Sequence, residues 1–224
     1  MINQENYRMV LAKTQGATAN LVAVSKTKPK EDIQALYKLG QRIFGENKVQ
    51  ELVEKQKELP QDIAWHLIGT LQRNKVKYIA PFVTMIHSVD SLKLLKEINK
   101  QAAKSERVID CLLQFHIAEE STKFGLSLQE AVELLSSTAF KEMKHVRIAG
   151  LMGMATFTAD KEQVRAEFKT LKKYFEELKA QFFAASDTFN EISMGMSGDY
   201  EIALEEGSTL VRVGSLLFGV RTYH

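Results

Sequence analysis

The sequence predicts a closed (β/α)8 barrel, and three observations predict it. Eight short apolar or β-branched runs recur along the chain, separated by longer segments, several of them with helical spacing. Most of the runs are apolar on both alternating faces, as parallel strands are when helices cover one side and neighbouring side chains fill the other. Eight such units use the 224 residues with none to spare. Strict β–α alternation also favours right-handed parallel crossovers over hairpins. An open doubly wound sheet is the second reading, because pattern alone does not demonstrate closure.

An opening helix over residues 3–15 precedes the first strand, "NLVAVSK" (20–26). "EDIQALYKLG" then repeats Ile33, Leu36 and Leu39 at helical intervals and leads to the second strand, "RIFGEN" (42–47). The third and fourth strands are "AWHLIG" (64–69) and "TMIHSV" (84–89), and "DSLKLLKEINKQAAK" forms the helix after them. "DCLLQFHI" (110–117) and "VRIAGLM" (146–152) are the fifth and sixth strands. In "DKEQVRAEFKTLKKYFEELKAQFF", Val164, Phe168, Leu171, Phe175 and Leu178 keep one helical face apolar. "EISMGMS" (191–197) and "TLVRVGS" (209–215) complete the set. No linker or low-complexity tract interrupts the series, so residues 1–224 read as a single domain.

Composition narrows the function classes. Hydrophobic residues at 45% and charged residues at 26% are the balance of a soluble globular chain. A net charge of only +2 gives no field that argues for nucleic acid or an anionic membrane. The single Cys111 excludes an intrachain disulfide and suits a reducing compartment. "MINQENYRMV" lacks the apolar core of a signal peptide, and no run is long enough for a transmembrane helix. The expectation is a cytoplasmic protein.

The chemistry begins in "LVAVSKTKPK". Side chains alternate across a strand, so Val22, Val24 and Lys26 share one face while Ala23 and Ser25 share the other. Lys28 and Lys30 flank Pro29 and read as solvated loop residues. Lys26 falls at the carboxyl end of the first strand, where barrels of this kind build their sites. Desolvation there favours a neutral amine, the nucleophile that forms an imine with an aldehyde. A lysine that snorkels to the rim is the competing reading.

The far end of the chain adds an anion site. Ser197 and Gly198 precede a helix-like run with Asp199 as N-cap and Gly207 as stop, and Gly214 and Ser215 open "LLFG". Small residues admit a close ligand, helix N-termini offer N–H groups, and a phosphate site after strands seven and eight recurs in such barrels. Arg212, between Val211 and Val213, is either a buried structural ion pair or a donor to a ligand. Amine, phosphate cradle and fixed guanidinium together suit a phosphorylated aldehyde. Pyridoxal 5′-phosphate (PLP) and a sugar phosphate both answer that description.

At this point the sequence resembles the small PLP-binding homeostasis proteins, whose barrel is shared with the N-terminal domain of alanine racemases. The segments that carry the likeness span almost the whole chain: "LVAVSKTKP", "FGENKVQE", "WHLIGTLQRNK", "IHSVDS", "STKFGL", "GLMGMA" and "SMGMSGDYEIALEEGSTLVRVGSLLFG". The resemblance implies an aldimine at Lys26, a phosphate held by Ser197, Gly214 and Ser215, and Arg212 against the pyridine nitrogen. It places Asn47 at the cofactor face, with a turn residue as the alternative. Lys123 reads as a solvated loop lysine, with a place near the ring hydroxyl as the alternative.

His66, His87 and His116 lie in strands three to five without metal-ligand spacing and read as satisfied barrel or rim histidines. Trp65 reads as barrel packing, Cys111 as a buried small hydrophobe, and Arg73, Lys75 and Lys77 as a solvated face. Three functions follow in order: a non-catalytic PLP carrier serving apo-enzymes, a PLP enzyme such as an amino-acid racemase, and a cofactor-free aldolase. Racemisation needs a second acid/base opposite the lysine. In racemases an additional β domain supplies it, and the sequence stops nine residues after Ser215. The expectation is therefore a carrier, and a monomer.

Overall fold

The computed structural model describes residues 2–119 and 124–219. It is a closed barrel of eight parallel strands in the order β1 to β8, so the open-sheet alternative is excluded. The strands are β1 (Asn20–Val24), β2 (Ile43–Glu46), β3 (Ala64–Leu67), β4 (Met85–Val89), β5 (Ile109–Phe115), β6 (Val146–Gly153), β7 (Glu191–Met196) and β8 (Leu210–Val213). Each coincides with one apolar run in the sequence. Closure comes from β1 pairing with β8, Asn20 opposite Leu210 through Ala23 opposite Val213.

The helices form the outer layer. They are α1 (Gln4–Gly16), α2 (Lys30–Lys38), α3 (Val49–Glu58), α4 (Val76–Ile79), α5 (Leu92–Lys104), α6 (Leu128–Ser136), α7 (Thr138–Lys141), α8 (Lys161–Phe182), α9 (Tyr200–Glu205) and α10 (Ser215–Phe218). Side-chain oxygens satisfy orphan N–H groups at several starts. Ser91 accepts from Leu94 N, Ser127 and Glu130 form a reciprocal capping box, and Asp160 accepts from Glu162 N and Gln163 N. The apolar faces of these helices meet the outward side chains of the strands. Phe44, Trp65, Phe115 and Phe168 are all buried in that layer, which bears out Trp65 as packing.

A second, smaller cluster fills the barrel itself: Val22, Met85, Leu112, Ala149, Met152 and Leu210. Val22 inside and Ala23 outside give β1 the parity read from its sequence. Cys111 is buried, and the apolar surroundings push its thiol pKa up. Among the described residues no helix is long and apolar enough to cross a membrane.

Candidate functional site

A cavity of about 720 Å³ opens at the carboxyl ends of the strands. Lys26, Asn47, Ser197, Arg212, Gly214 and Ser215 all line it, so six residues spread over nearly the whole sequence meet in one place. Lys123 lies outside the described residues.

Lys26 is half-buried just beyond β1, on the inward side with Val24. Lys28 corrects the sequence reading. It also lines the cavity, and its Nζ donates to the carbonyls of Phe218 (3.0 Å) and Gly219 (3.2 Å) at the end of α10. The turn after β1 is therefore tied to the end of α10 rather than left in solvent. Lys30 does behave as a surface residue, paired with Glu58.

The turns after β7 and β8 are joined directly, because Gly214 N–H donates to Ser197 Oγ at 3.2 Å. Gly214 packs closely against β1, where a side chain would be crowded. A Cβ there would meet the Val24 carbonyl oxygen at 3.1 Å and Val24 Cβ at 3.3 Å. Asp199 occupies the N-cap position of α9, yet its carboxylate accepts from Met196 N–H at 2.5 Å and makes no cap bond. Gly207, with φ +89°, ends that helix as expected. Asn47 is held by a similar close approach: a Cβ on Gly69 would fall 2.5 Å from the Asn47 carbonyl oxygen.

Arg212 sits inside the barrel, only 4% exposed. Its Nη2 donates to the Gly153 carbonyl at 3.0 Å and its Nη1 donates to Ser193 Oγ. Burial draws its pKa down to about 10, so it keeps its charge at neutral pH. The contacts continue through Ser193 Oγ and His87 Nδ1 (2.9 Å) to His87 Nε2 and His66 Nδ1 (2.9 Å). Guanidinium only donates. Ser193 is therefore an acceptor toward Arg212, and among the described residues His87 Nδ1 is the one acceptor left for its hydroxyl hydrogen. His87 then donates from Nε2 to His66 Nδ1. Burial lowers the pKa of both rings, His66 to about 3, which keeps the pair neutral. Both are satisfied barrel histidines, as their strands suggested. His116 lies just past β5 and is exposed. Among the described residues no three His, Cys, Asp or Glu side chains gather as a metal site.

Sequence reasoning missed the segment after β6. Met154 to Ala159 and Lys161 line the cavity, and Glu167 of α8 accepts from Thr156 N–H (2.6 Å) and Oγ1–H (2.7 Å). The one cue in the sequence was position: Glu167 falls on the apolar face of the longest helix, between Val164 and Phe168, and the structure buries it at 6% exposure.

The class these features define is a (β/α)8 barrel protein whose ligand cavity lies at the carboxyl ends of its strands. Residues 3–222 match the family model described as Alanine racemase, N-terminal domain, and the chain belongs to that family. It is 41% identical over 206 residues to the "Pyridoxal phosphate homeostasis protein" of Aquifex aeolicus, covering 92% of this chain and 88% of that one. It superposes on PipY of Synechococcus elongatus PCC7942 solved without PLP, with TM-score 0.87 and 34% identity over 96% of this chain and 99% of the other. PipY with PLP bound gives TM-score 0.85 at the same identity and coverage.

Proposed function

We propose that this protein binds PLP covalently at Lys26 and acts in intracellular PLP homeostasis, touching amino-acid metabolism indirectly. The observation that carries the reading is the meeting of an inward lysine with two hydrogen-bonded Ser/Gly turns on one cavity wall. The residues present fit the cofactor. Its aldehyde supplies the electrophile that an inward amine needs. Its phosphate suits Ser197, Gly214 and Ser215, on two turns that the Gly214 N–H to Ser197 Oγ hydrogen bond joins. Its pyridine nitrogen suits Arg212, and Asn47 suits the ring face.

Arg212 shapes what such a site does. A guanidinium that keeps its proton presents only donors, so a ring nitrogen beside it stays unprotonated and the ring is a poor electron sink. Two polar groups that line the same cavity are already engaged: Lys28 by two carbonyls, Asp199 by Met196 N–H. No tyrosine or histidine lines the cavity among the described residues. These features favour holding the cofactor over racemising an amino acid. A non-catalytic carrier in the cytoplasm, a single barrel domain acting as a monomer and passing PLP to apo-enzymes, is the form of the proposal.

The test is borohydride reduction of the PLP-loaded protein followed by peptide mass spectrometry. The near-violet band should vanish and the reduced adduct should map to Lys26. An adduct on another lysine, or steady racemisation of a free amino acid, overturns the proposal.

A further inference from the structure

Behind Lys26, on the helix side of the barrel wall, lies a buried ionic cluster that the cavity does not use. Ser25 Oγ donates to Glu46 Oε1 at 2.6 Å. Lys55, on α3, donates from one Nζ to Glu46 Oε1 (2.7 Å), to Glu51 Oε1 (2.7 Å) and to the Ser25 carbonyl (2.8 Å). Glu51 Oε1 also accepts from Thr27 N–H at 2.6 Å. Ser25 and Glu46 are fully buried and Lys55 is 9% exposed.

Two features make this more than an ordinary ion pair. Glu46 Oε2 is buried with no hydrogen-bond partner, and burial raises the pKa of its carboxyl against the pull of Lys55. A buried pair left incomplete in this way is a poor source of stability, since a well-packed apolar pair commonly does as well. The second feature is Thr27, a β-branched residue with φ +65°, in the left-handed region that such residues avoid. Strained backbone persists where its surroundings over-determine it. Here the cluster grips the residue on each side of Lys26, one by its hydroxyl and carbonyl, the other by its N–H.

We infer that Lys55, with Glu46 and Glu51, is a positioning group: it locks the Ser25–Thr27 turn so that the Lys26 amine is presented to the cavity in one orientation. The inference rests on the reading of Lys26 as the PLP-bearing residue. Without the clamp, Thr27 relaxes toward negative φ, the amine samples other directions, and the covalent link is made more slowly and lost more readily.

The test compares wild type with Glu51→Ala, whose site is part-exposed and whose fold should survive, and with the double variant Glu46→Gln/Lys55→Met. The double variant leaves no unpaired charge at the fully buried Glu46 position and leaves Glu51 part-exposed to solvent. Release of PLP into excess apo-enzyme and thermal unfolding of the PLP-free proteins are both measured. Release should be at least tenfold faster in the double variant and severalfold faster in Glu51→Ala. Hydrogen exchange at the Thr27 amide of the PLP-free protein should rise in both, and Lys55→Arg should restore most of the wild-type rate. Unchanged release and exchange beside a lowered melting temperature would reduce the cluster to a structural role and overturn the inference. Wild-type protein with no reducible adduct on Lys26 would instead remove the reading beneath it.

Discussion

His66 and His87 face each other inside the barrel, Nδ1 to Nε2 at 2.9 Å, with ring centroids 5.0 Å apart and neither ring charged. Their neutrality is part of the fold's pH response. In the unfolded chain a histidine titrates near 6.5, whereas burial holds His66 at about 3. Between those values the unfolded state binds more protons, so stability is full above pH 6.5 and falls as pH drops toward 3.

Denaturant unfolding at pH 7, 6 and 5 should show that fall, approaching about 1.4 kcal/mol per pH unit per buried histidine below their ordinary pKa. His66→Gln should flatten the slope. Equal stability at pH 5 and 7 in the wild type would contradict the buried neutral pair.

Lys26→Ala should abolish the borohydride-fixed adduct while leaving the Ser197–Gly214 contact intact. Some non-covalent affinity for PLP should remain, measurable by equilibrium dialysis. Undiminished covalent loading would move the reactive amine elsewhere.

Ser197→Ala and Ser215→Ala should each weaken PLP binding by about tenfold or more, the worth of a hydrogen bond to a charged group at roughly 1.5–3 kcal/mol. Binding of pyridoxal, which lacks the phosphate, should be unaffected by either change. Calorimetric titration with both ligands separates the outcomes, and equal losses for the two would place the phosphate somewhere else.

Arg212→Gln removes a buried donor set that serves Ser193 and the Gly153 carbonyl. Stability should drop by roughly 2–3 kcal/mol, because buried partners are left unsatisfied. Arg212→Lys, which keeps a charge without the planar fork, should fold better yet still bind PLP more weakly. Chemical denaturation and affinity measured on the same preparations check both statements.

The eight strands and the parity of β1 were legible because a strand buried on both faces leaves an apolar run that helices do not imitate at that length. Lys26 and the Ser/Gly turns stood out because each ends such a run at its carboxyl end, and Arg212 because it is a charge inside one. Lys28 was not, since the carbonyls that hold it belong to residues about 190 positions away. The Glu46–Lys55 pair and Glu167 escaped for a related reason. A charged residue on an amphipathic helix looks solvated until the packing partner that buries it is known. Closure itself could be read only from the β1–β8 register.

That register also orders events during synthesis. The amine emerges from the ribosome with the first strand, and the turns proposed to grip phosphate emerge with the last two. For most of translation a nascent chain thus carries a solvated lysine and little else that PLP could recognise. On the proposed function, affinity for PLP should therefore arrive abruptly, at the moment β8 docks beside β1, and unfinished chains should not trap a reactive aldehyde.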